Sequence, residues 1–387
     1  MTSFLPSPID TLLLRASLLP GSAAADSWLA WCRIVGDPVQ MLGTDARHIK
    51  VLVPQLGRNL RASGVTLTPM FRTYARAAHF TETRRVATYQ SRCRIVLELL
   101  NAHAVPHLVL KGAALAETMY ADPALRHAHD FDLLLREADL YRAADVLLSH
   151  RFTKTAPLDS GPRHHLAPLR DEMGLSVELH RALSYLYAGL DTAGVFSRSV
   201  PATIAGVPSR VLSRADALVH AGVHAIGCAG SQSFRWVTDA WVLLDGMTPA
   251  DWQTVVDVTS ASNVALPMML TLGYLADALD APVPADVLER LQREAIAADR
   301  VSRSAATFGV RQSLPQGPHD ILRSPWDWRA RAAQLAWRLL PPPRHVRWAY
   351  GVTRGWTVPF YYPYRFAKLA SGLVRTVAGT GGEPDPA

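Results

Sequence analysis

Residues His107–Leu135, HLVLKGAALAETMYADPALRHAHDFDLLL, decide how the chain is read. They open on a short apolar strand (His107–Leu110), turn through Lys111-Gly112 into a small-residue helix (Ala113–Tyr120), and cross an irregular loop bearing histidines. A second strand, Asp130–Leu135, carries Asp130 and Asp132. Strand residues at i and i+2 share a face, so the two carboxylates leave the sheet side by side while Phe131 faces the other way. Carboxylates that close repel unless a cation lies between them, which makes a divalent metal the first expectation. A third acid, Glu178 in Leu175-Ser-Val-Glu-Leu-His180, stands on a later strand. Three carboxylates converging on one sheet face could hold two Mg²⁺ (or Mn²⁺) ions about 4 Å apart, the arrangement that clamps phosphoryl groups for in-line attack. Gly112 at the strand-to-helix turn would let the backbone approach a phosphate, and a helix N-terminus offers its free N–H groups to an anion.

Outward from this stretch the pattern is helical on both sides. Apolar residues at three- and four-residue spacing predict helices at Thr11–Leu19, Ser27–Val35, Asp45–Leu60 (split or kinked by Pro54) and Met70–Leu100. The central unit continues with helix Ala138–His150 and strands at Phe152–Thr155 and Leu175–His180. A small mixed sheet with packed helices, an α+β unit, is expected. A Pro-bounded spacer near Pro201–Pro208 precedes helices at Ala215–Ile226, Phe234–Leu244, Val264–Leu279 and Ala285–Arg300. The expected organisation is an N-terminal helical region (1–100), a core (101–185), a helical domain (186–320), a basic aromatic arm (321–375) and a disordered tail (376–387).

Length and composition fit this plan. With 387 residues, 49% hydrophobic and 19% charged, the chain can bury a sizeable core and is not of the disordered class. The start lacks a basic stretch ahead of its apolar run, no apolar run reaches membrane-spanning length, and three scattered cysteines (Cys32, Cys93, Cys228) give no disulfide framework. A cytoplasmic setting is expected. The net charge of +7 is concentrated in the arm, where nine Lys/Arg face one acid between Trp326 and Arg375, leaving the rest near neutral. Five of the ten tryptophans lie in the same segment. Basic residues interleaved with aromatics suit packing over the helical domain, peripheral contact with a membrane surface, or, less favoured, a single-stranded nucleic acid.

Leu110-Lys-Gly-Ala-Ala-Leu115, Arg126 four residues before Asp130, and Asp130-Phe-Asp-Leu-Leu-Leu135 resemble the nucleotidyltransferase superfamily of polymerase-beta type. The closer likeness is to its bacterial branch of uncharacterised nucleotidyltransferase-family proteins. It continues through His164-His165-Leu166, Val177-Glu-Leu-His180, Leu212–His224 and Asp239, and more faintly into Pro341–Tyr364. The resemblance implies a nucleotidyltransferase-type sheet, with Asp130 and Asp132 as metal ligands, Glu178 as the third, and Gly112 beside the phosphates of an NTP. Ala113 follows Gly112 where the superfamily pattern carries Gly or Ser, and the gap from Gly112 to Asp130 is longer than usual.

The neighbouring residues are read more openly. Lys111 either neutralises a triphosphate or is a solvated strand end. Arg126 either reaches a phosphate oxygen bidentately or pairs with Asp122 or Glu117. His180, on the strand face of Glu178, orients it, touches substrate, or is a satisfied core histidine. His220 and His224 stand at i and i+4 without a third ligand at recognisable spacing and read as helix packing against the active-site domain, while Asp239 reads as an ion pair with Arg235. The expected activity is metal-dependent transfer of a nucleotidyl group from an NTP to an acceptor hydroxyl or phosphate, releasing pyrophosphate. Asp130, Asp132 and Glu178 would carry the chemistry, with Lys111, Gly112, Ala113, Arg126 and His180 holding nucleotide. The rivals are an inactive binding module of a glycan or peptide assembly pathway and a toxin- or antitoxin-like enzyme acting on RNA or protein.

Overall fold

The computed structural model describes residues 5–44, 49–158, 164–184, 190–227, 234–298 and 328–377. Its centre is a mixed seven-stranded sheet in the order β3-β4-β5-β2-β1-β7-β6. The strands are β1 (His107–Val109), β2 (Asp130–Leu135), β3 (Thr153–Lys154), β4 (Leu169–Arg170), β5 (Ser176–His180), β6 (Val200–Ile204) and β7 (Val207–Val211). β2 sits at the middle because its alternating residues are apolar enough to be covered on both faces. Phe131, Leu133, Leu134 and Leu135 are all fully buried. It pairs antiparallel with β1 and parallel with β5, in a register that sets Asp132 opposite Glu178 and Leu134 opposite His180. Side chains of directly paired residues in neighbouring strands share a face, so this register aligns the acids of two strands 46 residues apart in sequence.

Helices cover both faces. One face of the sheet, with Phe131, Leu133, Val177 and Leu179, packs on α5 (Pro69–Ala102) through Val96, Leu97 and Leu100, and on α7 (Glu137–Leu148) through Leu140 and Leu147. The other, with Leu108, Leu110 and Leu134, shares a core with α8 (Thr192–Arg198), α9 (Arg214–Gly227), α10 (Arg235–Leu244), α11 (Pro249–Ala261), α12 (Ala265–Leu279) and α13 (Ala285–Ala297). The same core takes Leu14 and Leu18 of α1 (Pro8–Leu18). A separate cluster joins α1, α2 (Gly21–Val35), α3 (Pro38–Thr44) and α4 (Val53–Ala62) to α5 around Trp28, Trp31 and Phe71. The carboxylate face of β2 therefore looks towards α9 and α10, not towards solvent.

Several expectations shift at their edges. Residues 45–48 of the expected third helix lie outside the described residues. The rest divides into a 3-10 turn (Ile49–Leu52) and α4, with Pro54 in α4's first turn, where its missing N–H costs nothing. The expected Pro-bounded spacer is instead the hairpin β6–β7, closed by Ala205 and Gly206, both at positive φ. Its prolines are tolerated because β6 is the sheet's edge and β1 reaches β7 only at Val109–Val211, so Pro208 needs no donor on that side. Cys32 and Cys93 are free thiols, and Cys228 lies outside the described residues. Residues 378–387 of the expected tail also lie outside them. The arm forms α14 (Trp328–Leu339), α15 (Pro343–Ala349) and α16 (Val358–Val377), with a small core of its own at Val346, Val352 and Val358. Among the described residues no helix is long and apolar enough to cross a membrane.

Candidate functional site

β1 ends at Val109, Leu110 donates its N–H to the Asp132 carbonyl, and Lys111 opens α6 (Lys111–Thr118) with a left-handed φ of +47°. A lysine in that region is strained, and such strain persists where the surroundings fix it. Here the side chain does so. Lys111 Nζ donates to Asp132 Oδ1 at 2.8 Å, and His180 Nε2 reaches the same oxygen at 2.7 Å. His180 Nε2 also stands 3.4 Å from Glu178 Oε2. Asp132, Glu178 and His180 each offer a ligand atom, all within 4.8 Å of one another. Donors bound to one divalent ion at roughly 2.0–2.3 Å stand about 3–4.5 Å apart, so the donor set would fit such an ion once His180 gives up its Nε2 proton and its 2.7 Å contact with Asp132 opens. The Lys111 ammonium supplies the positive charge that the buried Asp132 carboxylate needs.

The electrostatics follow from burial and pairing. Burial alone would raise the Asp132 carboxyl, but Lys111 and His180 outweigh it and hold it well below the usual carboxylate range. Burial would lower Lys111, and Asp132 reverses this. His180 is pushed down by burial and by Lys111, yet its bonds to Asp132 and Glu178 leave it raised. Glu178 is raised by burial and brought net down by the hydrogen bond from His180. The four form one coupled network, negative on β2 and β5 and positive at the turn.

Above them lies a cavity of about 330 Å³. Lys111, Gly112, Asp130 and Glu178 line it, while the fully buried Asp132 and His180 lie beneath its floor. Asp130 is not a member of the three-ligand group. Its side chain stands nearer the surface, with its Oδ2 3.8 Å from His129 Nε2. His164 and His165 also line the cavity, their ring centroids each 5.1 Å from that of His180. The α9 pair expected to serve helix packing, His220 and His224, belongs to the cavity wall as well. Their spacing puts them on one face of α9, and that this face meets a cavity there depends on the α9–sheet packing, which no local spacing encodes.

Gly112 has a steric reason. A Cβ there would meet Ala128 Cβ at 2.8 Å, closer than real Cβ atoms come, with an Arg126 guanidinium nitrogen at 3.3 Å. The Gly112→Ala variant is expected to lose about 1–3 kcal/mol, read by urea unfolding, because the turn and the 126–128 loop must separate. A variant as stable as the parent would contradict this packing. Ala113 is buried against the α5 side of the sheet. Among the described residues no side chain caps the α6 N-terminus, whose first N–H groups are the kind that take an anion.

Arg126 departs from both of its expected partners. Its Nε and Nη2 donate to Asp239 Oδ1 and Oδ2 at 2.6 and 2.7 Å, a buried bidentate pair, and Tyr120 donates its hydroxyl to Asp239 Oδ1 at 2.8 Å. Asp122 is held by His79, and Glu117 accepts from the Ala205 N–H. The expected Arg235–Asp239 pair is replaced by this one, because Asp239 points inwards from α10 while Arg235 Nη1 stands 3.4 Å from His129 Nδ1. Arg126 and Asp239 both line the cavity and fasten the loop before β2 to α10.

A family model described as "Uncharacterised nucleotidyltransferase" matches residues 46–280, more than half of the chain and every residue of the site. No curated protein matches the chain. Among solved structures, an antigenic nucleotidyltransferase-like protein from Paracoccidioides brasiliensis is similar at 14% identity over 54% of this chain and 95% of that one, with a TM-score of 0.32.

Proposed function

We propose, from the premise that this chain belongs to the uncharacterised nucleotidyltransferase family, that it is a metal-dependent enzyme moving a nucleotidyl group from an NTP to an acceptor. The observation that carries the reading is the meeting of Asp132, Glu178 and His180 under a cavity that opens beside the α6 N-terminus. Asp132, Glu178 and His180 would hold one Mg²⁺ or Mn²⁺ ion, and Asp130 at the cavity wall would help hold a second. A divalent ion there would draw charge from the α-phosphate and from the departing pyrophosphate. Lys111, whose ammonium balances Asp132, and the Gly112 and Ala113 backbone amides would meet the phosphates.

In the transfer itself the acceptor oxygen bonds to the α-phosphorus, and the bond from that phosphorus to the β-phosphate's bridging oxygen breaks. Pyrophosphate leaves with the electron pair. The acceptor's proton passes to the Glu178 carboxylate and from there to solvent, which the cavity admits. The imidazole in the donor set favours Mn²⁺ over Mg²⁺, since nitrogen suits the later metal better. The test is to incubate the chain with each labelled NTP, Mg²⁺ or Mn²⁺ and cell extract, and to follow pyrophosphate release and label transfer. Turnover that survives the combined Asp130→Ala and Asp132→Ala changes would end the proposal. Label on RNA or protein would favour the toxin-like reading, and no metal affinity would favour the inactive module.

The arm has a role of its own in this reading, as a contact for an anionic membrane surface. Trp356, Phe360 and Tyr364 recur every fourth residue into α16, all exposed, with the Trp356 and Phe360 rings 6.5 Å apart edge to face. Trp328 and Trp348 are exposed on α14 and α15. The aromatic residues suit the headgroup layer, and the arm's basic excess complements anionic lipid. The full chain is expected to sediment with phosphatidylglycerol-containing vesicles and not with pure phosphatidylcholine. The combined Trp356→Ala, Phe360→Ala and Tyr364→Ala changes should reduce that binding at least tenfold. Equal recovery with both vesicle types, or preference for single-stranded RNA over vesicles, would count against it.

A further inference from the structure

The α9 wall of the cavity differs from the carboxylate floor. Ala217, His220, Ala221 and His224 line it at helical spacing, one stripe of the helix. His220 is 4% exposed, and its Nε2 has no hydrogen-bond partner among the described residues. The Leu183 backbone is a hydrogen-bond partner of the ring, and since Nε2 has none, that bond falls to Nδ1. A ring whose Nδ1–H is committed to a carbonyl keeps a lone pair at Nε2, so the imidazole presents an acceptor there, not a donor. A buried acceptor without a partner calls for a donor from whatever fills the space. The same cavity has an apolar share of lining that includes Leu115, Met119 and Trp236.

We propose that this wall is the acceptor subsite, where His220 Nε2 accepts a hydrogen bond from an uncharged hydroxyl carried on an apolar body. The inference rests on reading the cavity as a nucleotidyl-transfer site, and there it selects a hydroxyl over a phosphate as the acceptor. A carboxylate or a fully ionised phosphate has no hydrogen to donate and could bond to Nε2 only if the ring were protonated. Burial, with Lys111 and His180 adding to it, brings His220 down to about 3, so the ring is neutral across the physiological range. A cationic amine would face the Lys111 ammonium instead. An uncharged hydroxyl meets neither obstacle. His220 is thus a binding and positioning residue, too weak a base to take the proton itself.

The test uses the full chain and a matched set of probes on one apolar body: cyclohexylmethanol, cyclohexanecarboxylate and cyclohexylmethyl phosphate. Binding is followed by ligand-observed NMR and by ¹⁵N shifts of labelled histidines, with Mn²⁺ and ATP binding measured in parallel. The alcohol is expected to bind and to move the His220 Nε2 signal, while the two anions bind at least several-fold more weakly there. His220→Phe should weaken alcohol binding roughly tenfold and leave Mn²⁺ binding intact, and His220→Gln, which keeps an acceptor, should recover part of the loss. Anions that bind as well as the alcohol, or alcohol binding unchanged in His220→Phe, would overturn the assignment. If His220→Phe fails to fold, a His220 Nε2 signal in the parent chain that ignores the alcohol overturns it equally. Absence of Mn²⁺ and ATP binding by the parent chain, with alcohol binding retained, would remove the transfer reading and leave the hydroxyl-binding wall standing.

Discussion

Replacing Asp132 by Asn is expected to abolish nucleotidyl transfer, with turnover down about 10³-fold or more, and to cost about 3 kcal/mol of stability at the same time. Both effects come from one oxygen. Asp132 Oδ1 accepts from Lys111 at 2.8 Å and from His180 at 2.7 Å, and the carboxylate is fully buried. Asn keeps the shape and removes the charge, which leaves the Lys111 ammonium at the cavity wall without its counter-charge. The second substitution separates fold from chemistry. Lys111→Met added to Asp132→Asn should recover more than half of the lost stability, because the stranded charge goes with it, and should recover none of the activity. Urea unfolding at neutral pH and pyrophosphate release read the two arms. Stability within about 0.5 kcal/mol of the parent in Asp132→Asn would show the buried pair to contribute little, and unchanged turnover would remove Asp132 from the chemistry.

The strand–turn–helix at the centre was legible because its signals are local. Acids at i and i+2 in an apolar run place two carboxylates on one face, and Gly112 marks the turn. Glu178 was legible as a third acid on a strand, but its partner was not: register is decided by which strands pair, and β2–β5 pairing is parallel across a long connection. That register brings His180 onto Asp132 and into the ligand group, whereas on the sequence it was one of several readings of a strand histidine. The Lys111–Asp132 bond escaped for the same reason, since it joins the end of β1 to the neighbouring strand. Asp239 carried a misleading local signal. Arg235 at i−4 on α10 is the standard spacing for an ion pair, yet Asp239 faces the interior and meets an arginine 113 residues away. Spacing reports helix faces; it does not report what a face touches. The hairpin β6–β7 was masked by its prolines, which mark a break unless the strand lies at an edge.

That long-range pair carries the second large effect. Arg126→Ala and Asp239→Asn are each expected to cost about 3–5 kcal/mol, because each strands a charge in a site where both side chains are less than a tenth exposed. Asp239→Asn also weakens the acceptor that Tyr120 uses. The pair is the buried, bidentate bond between the loop ahead of β2 and α10, so its loss should loosen the approach of α10 to the carboxylates as well as the fold. Arg126→Lys tests what kind of contact matters, since an ammonium cannot reproduce two parallel bonds to one carboxylate. If the guanidinium serves Asp239, Arg126→Lys lowers stability by about 1–3 kcal/mol while the affinity for Mn²⁺-ATP changes less than threefold. If it serves a phosphate instead, nucleotide affinity falls tenfold or more and stability barely moves. The geometry predicts the first pattern. In the double-mutant cycle of Arg126→Met with Asp239→Leu the losses should fall well short of additive, with a coupling of about 3 kcal/mol, since removing both charges leaves neither stranded. Additive losses would mean that the bond between loop and helix is not what holds α10 over the site.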